Sequence, residues 1–183
     1  MTKIAGTLAL LLAALAGAAG AQDARGKLEV RLTANGEPAA GTVEIFPSQG
    51  GPSAYAGPTG TPVELPAAVY DVKVTLTDAI DHPTRSRGGI EVTVGNDRTV
   101  HIDFQVGRVT LLCRKDGEAL DAEISLRRPG SSNWLPAVHC GVPFLVSGGT
   151  YEADVTPLDS LTGVQAGPLQ IMSGTTQRLA IDL

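Results

Sequence analysis

Apolar and polar residues alternate along this chain in short runs that glycine, proline, asparagine and aspartate interrupt. In "KLEVRLT", Leu28, Val30 and Leu32 alternate with Lys27, Glu29, Arg31 and Thr33, the two-residue period of a strand with one buried face. Asn35-Gly36 comes after it, and Asp116-Gly117 stands at the matching place later in the chain. Both pairs suit the positive-φ positions of a tight hairpin turn. The returning segments "GTVEIF" and "DAEISL" put Val43 with Ile45, and Ile124 with Leu126, on one face. "PVEL" then leads through "PAA" into "YDVKVTL", which predicts another hairpin with Tyr70, Val72 and Val74 facing inward. "GIEVTV", a turn at "GND" and "RTVHIDF" close the series. Beyond the first segment of the chain, no stretch has a convincing 3.6-residue period. The expected class is all-β, with antiparallel sandwiches.

The chain also resembles itself. Gly107 lies 81 residues after Gly26, and at that offset "NGE" (35–37) meets "DGE" (116–118). Gly60, Pro62 and Tyr70 likewise meet Gly141, Pro143 and Tyr151. "TVHIDF" and "RLAIDL" match after a two-residue contraction between Glu152 and Leu179. A constant offset over so many landmarks marks a duplicated unit. The expected organisation is a leader over residues 1–21, a short tail at 22–25, and tandem sandwiches at 26–105 and 106–183. Only Gln105, Val106 and Gly107 separate the copies, so a restricted hinge with contact between modules is expected.

A strand, "NGEP" or "DGEA", a second strand, a Gly/Pro loop and then "LPAAVYDVKV" resemble the transthyretin-like repeats of the carboxypeptidase regulatory family. The pattern is also similar to PEGA and collagen-binding B-type modules, although "AAVY" and "GGTY" stand where those carry Pro-Gly before the tyrosine. The resemblance covers residues 26–183, once per copy, through turn and core positions. It implies an accessory role in adhesion, spacing or protein contact; separately, no cofactor is expected.

The first segment, "MTKIAGTLALLLAALAGAAGAQD", has Lys3, an apolar run from Leu8 to Leu15 and a small-residue site at Ala19-Gly20-Ala21. That is the form of a secretory signal peptide, and it predicts a periplasmic or secreted protein. The net charge of −5, lower by one more without Lys3, opposes sequence-independent binding to nucleic acid or anionic membrane. No later segment is apolar enough to insert into a bilayer.

Both cysteines, Cys113 and Cys140, fall in the second copy, where the first has Leu32 and Thr59. In an exported chain they are candidates for a disulfide; the alternative is a buried thiol beside an unrelated exposed one. His101 and Asp103 share a strand face but lack an evident third metal ligand. "TDAIDHPTRSRGG" (77–89) reads as a solvated loop of mixed charge. Tyr55 and Trp134 sit in corresponding loops and either plug the sandwich or offer a contact surface for a protein or a glycan. Arg127 and Arg128, just before Trp134, would extend such a patch. No paired catalytic carboxylates, nucleophile elbow, zinc signature or phosphate loop is present. The expected task is structural or interactive, toward an envelope or extracellular protein. Carbohydrate binding through the loop aromatics is the alternative.

Overall fold

A computed structural model describes residues 24–183, so the expected leader at 1–21 and the start of the tail lie outside the described residues. The first half forms β1 (Arg25–Ala34), β2 (Glu37–Pro38), β3 (Gly41–Pro47), β4 (Tyr55–Pro58), β5 (Val63–Pro66), β6 (Ala68–Leu76), β7 (Thr84–Val92) and β8 (Asp97–Phe104). The second half repeats the series. It forms β9 (Val106–Lys115), β10 (Glu118–Ala119), β11 (Ala122–Arg127), β12 (Val138–His139), β13 (Pro143–Ser147), β14 (Gly149–Pro157), β15 (Val164–Ile171) and β16 (Thr176–Asp182).

In the first half β1 pairs with β2 and β5 along one edge and with β8 along the other, while β4, β3, β6 and β7 form a second sheet in that order. The second half reproduces both sheets, with β9 between β10/β13 and β16, and with the order β12-β11-β14-β15. Alternation along each strand buries one face: Leu28, Val30, Leu32 and Ala34 on β1, and Val109, Leu111 and Cys113 on β9. Two apolar cores result, one running from Leu28 to Val106 and the other from Val109 to Ile181. The protein is all-β and made of two sandwiches. One pair in each is parallel, β1 with β8 and β9 with β16, because the last strand of each unit returns beside the first in the same direction.

The tight turns form as expected. Asn35 and Gly36 take φ of 55° and 82°, and Asp116 and Gly117 take 53° and 84°. After these turns the chain departs from a simple hairpin series. Only the short β2 and β10 pair back beside their predecessors; β3 and β11 cross to the opposite sheet. "PVELPAAVYDVKV" is likewise a corner and not a hairpin, since β5 joins β1 while β6 joins β3 and β7. Apolar alternation is satisfied equally by folding back or by crossing over the core, so periodicity alone could not separate the two.

The corner explains the repeated tyrosines. The Tyr70 hydroxyl donates to the Pro66 carbonyl at 2.9 Å, and the Tyr151 hydroxyl to the Ser147 carbonyl at 2.8 Å. Each bond ties a strand of one sheet to a strand of the other, the arrangement of a tyrosine corner. Each tyrosine also precedes a register irregularity, between Tyr70 and Val72 and between Tyr151 and Ala153. The repeated glycines at 26 and 107 have an equally direct cause. A Cβ on Gly26 would lie 2.2 Å from the Thr93 carbonyl oxygen, and one on Gly107 would lie 2.5 Å from Ile171 Cγ2.

The sandwiches join end to end. The Asn35 side chain clamps the connecting backbone, donating to the Val106 carbonyl at 2.8 Å and accepting from the Val106 amide at 3.0 Å. Beside it the 77–83 loop of the first sandwich leans on β13. The Ile80 amide donates to the Leu145 carbonyl at 2.9 Å, and Asp81 accepts from the Ser147 amide at 3.1 Å. Ile80 packs on the second core and Leu145 on the first. The expectation of a solvated loop over 77–89 is corrected in part: Ala79 is fully buried and Asp81 bonds at the junction, and residues 84–89, exposed as expected, begin the strand β7.

Cys113 and Cys140 form a disulfide across 27 residues, with Cα atoms 5.8 Å apart. The bridge links the central strand β9 to the crossing from β12 to β13. Chain-entropy arguments give a closed loop of this length about 3–4 kcal/mol. Replacing the pair with the residues of the first copy, Cys113→Leu with Cys140→Thr, should lower unfolding free energy by about 2–4 kcal/mol in urea titration. Tyr151 makes a second prediction. Burial first, and then the Asp81 carboxylate, push its hydroxyl from 10.0 up to about 12, with Arg128 opposing. A raised acid favours its neutral form in the fold, so this contribution is complete below pH 10 and disappears as pH climbs toward 12. Tyr151→Phe should cost about 1 kcal/mol at pH 7 by orphaning the Ser147 carbonyl, and should blunt the alkaline loss of stability between pH 10 and 12.

Candidate functional site

Trp134 is the best-defined surface feature among the residues singled out. Its loop is held by Leu135, whose amide donates to the Leu126 carbonyl at 2.7 Å and whose side chain packs on the second core. Leu135 fills the interior, and the neighbouring Trp134 is left 38% exposed. Under it lies Arg127, which is in the outward register of β11 because Leu126 points inward. The Arg127 guanidinium carbon lies 4.4 Å from the Trp134 ring centroid, and Nε donates to Glu152 Oε2 at 2.7 Å. Arg127 and Glu152 are direct cross-strand partners.

Ring, guanidinium and carboxylate thus form one ordered stack. The ion pair contributes little to stability where it is half exposed, and the cation–π contact about 0.5–1 kcal/mol. What the stack supplies is order: a flat aromatic surface on a fixed charge. Next to it a shallow depression runs over the sheet between Arg127, Pro129, Glu152, Gln165 and Pro168. Glu152 and Gln165 complete the patch and were not among the sequence candidates. Register between β11 and β14 places Glu152, and a pattern of alternation does not reveal register.

Tyr55 lies elsewhere. At the start of β4 it pairs with Ile45 of β3 and packs against the first core. Ala54, not Tyr55, makes the bond equivalent to Leu135, donating to the Ile45 carbonyl at 2.7 Å. The two aromatics are therefore two positions out of step and belong to separate modules. Arg128 turns from Trp134 toward the corner, with its guanidinium carbon 4.4 Å from the Tyr151 centroid.

The other candidates are absorbed by structure. Asp103 accepts from Thr33 Oγ1 at 2.7 Å and from the Gly36 amide at 2.9 Å. The Gly36 amide, then Thr33, hold its carboxyl below the usual range. Asp78 accepts from the Ala40 amide at 2.7 Å, and Arg85 donates to the Asp103 carbonyl at 2.7 Å. His139 lies 3.5 Å from Glu123 at the surface. Among the described residues no group of three His, Cys, Asp or Glu side chains is placed to hold a metal ion, and no helix is long and apolar enough to cross a membrane.

No protein-family model matches the chain, and no curated protein matches it in sequence. Solved structures to which it is similar include the TIE protein of Bacillus anthracis, at TM-score 0.36 and 16% identity over 86% of this chain and 34% of that one. A leucine-rich repeat protein from Bacteroides thetaiotaomicron matches at TM-score 0.32 and 13% identity, over 87% and 26%. GBS52, the minor pilin of Streptococcus agalactiae, matches at TM-score 0.32 and 11% identity, over 86% and 94%. This chain therefore spans well under half the length of the first two. Overlap at this level bears on neither partner nor activity.

Trp134 is the only tryptophan, so its fluorescence reports on the patch. Arg127→Ala should shift the emission to longer wavelength and raise acrylamide quenching, while changing global stability by less than about 1 kcal/mol.

Proposed function

We propose that the protein is an exported, non-enzymatic interaction module of the cell envelope: two sandwiches, at residues 26–105 and 106–183, that present the Trp134 patch to another protein. The observation that carries this reading is the exposed tryptophan fixed on Arg127 and Glu152. Tryptophan and arginine held in place on a surface offer much contact area for little loss of side-chain freedom, the chemistry of binding hot spots. The clamped junction at Val106 supports it further, because a stiff pair of modules holds a contact surface at a set distance and orientation.

Carbohydrate binding is the second reading. The same exposed ring beside the polar groups of Glu152 and Gln165 favours it, since a sugar ring offers an apolar face and a rim of hydroxyls. Protein immobilised on resin should retain one partner protein from an envelope extract. Trp134→Ala should reduce that retention at least about ten-fold, the loss expected of a hot-spot residue. Binding to a glycan array that Trp134→Ala abolishes, without a protein partner, would favour the second reading instead. Retention unaffected by Trp134→Ala would remove the patch from either.

A further inference from the structure

The geometry points to the Cys113–Cys140 bridge as a thiol-exchange site. A small-molecule thiol attacks Cys140 and leaves a mixed disulfide there, on a sandwich that stays folded. The inference goes beyond the proposed interaction role and is independent of the Trp134 patch.

Access to the two sulfurs is unequal. Cys113 is 4% exposed on the inward face of β9, whereas Cys140 is only partly buried. Both line a depression of about 210 Å³ whose other walls include Arg114, Leu120 and Gly141. A small thiol entering this depression has its open approach on the Cys140 side. Arg114 is exposed, and a cation beside the path favours the thiolate, the form that attacks a disulfide.

The fold around the bridge does not require it, and the first sandwich shows why. Leu32 and Thr59 stand there at the two cysteine positions, yet the backbone is bonded in the same way. The Cys140 and Gly141 amides donate to the Ala122 and Leu111 carbonyls at 2.9 and 2.7 Å. Those of Thr59 and Gly60 donate to the Gly41 and Val30 carbonyls at 2.9 and 2.8 Å. The Leu120 amide bonds the Cys113 carbonyl at 2.9 Å, as the Ala39 amide bonds that of Leu32 at 3.3 Å. Hydrogen bonds alone thus hold this crossing in one copy. In the other they keep Cys140 beside β9 when the bridge opens, so that it can close again.

The exchange is balanced without an outside oxidant or reductant. The thiolate sulfur bonds to Cys140 Sγ while the bond from Cys140 to Cys113 breaks. The electron pair of that bond leaves on Cys113 Sγ, which takes up the proton the incoming thiol gave up. Attack by Cys113 on the adduct reverses the step and expels the thiol.

Peptide mapping by mass spectrometry, after folded protein is treated with reduced glutathione in mildly alkaline buffer and quenched with acid, tests this. Glutathione should be found on Cys140, with Cys113 as a free thiol and the circular dichroism spectrum unchanged. Arg114→Gln should slow adduct formation about two- to five-fold, the scale of one exposed charge. Cys113→Leu, which installs the first-copy residue, should fold and leave a Cys140 thiol that a maleimide labels without denaturant. A bridge that glutathione opens only where denaturant unfolds the protein overturns the inference. So does an adduct found chiefly on Cys113, or a Cys113→Leu variant that is unfolded or resists labelling.

Discussion

The structure depends on a corner in which a buried tyrosine hydroxyl bonds the carbonyl four residues behind it. In each unit the chain leaves one sheet, turns within a residue or two, and enters the opposite sheet. A turn this abrupt would leave a carbonyl facing an apolar core, where an unpaired polar group costs about 1–3 kcal/mol. Tyr70 and Tyr151 supply the missing donor, and their rings fill the core beneath the corner. The strands on either side are then held at the spacing of two packed sheets, which fixes where the remaining strands can lie.

The junction reuses the same features. Ser147 offers its carbonyl to Tyr151 and its amide to Asp81 of the preceding sandwich. The corner of the second unit is therefore also the seat of the first. Corner and seat are linked electrostatically as well, since Asp81 helps raise the Tyr151 hydroxyl while Arg128 lies over its ring. With Asn35 clamped on Val106, bending between the sandwiches requires several of these bonds to break together. The contacts that join the sandwiches are thus local hydrogen bonds on either side of the short connection.

Differences between the copies show where the repeated unit was free to change. The Cys113–Cys140 bridge occupies positions held by Leu32 and Thr59 in the first copy, so the interior accepts either solution. On the outer sheet face the second copy has Arg127 and Trp134 where the first has Phe46 and Ser53. No core contact requires that exchange, which is why this face and not the interior carries the functional reading.

Alternation in "KLEVRLT" and its counterparts determined the strands and their buried faces, because the pleat has a period of two and one side must leave water. The repeat offset determined which residues are equivalent, and Asn35-Gly36 and Asp116-Gly117 determined the tight turns through their positive φ. Only the tertiary structure decided which turns fold back and which cross the core, since either choice buries the same residues. It also separated Trp134 from Tyr55, placed Glu152 against Arg127 through strand register, and drew Asp81 into the junction. Each of these depends on distances between segments far apart in the chain, and those distances are set by how the two sheets pack.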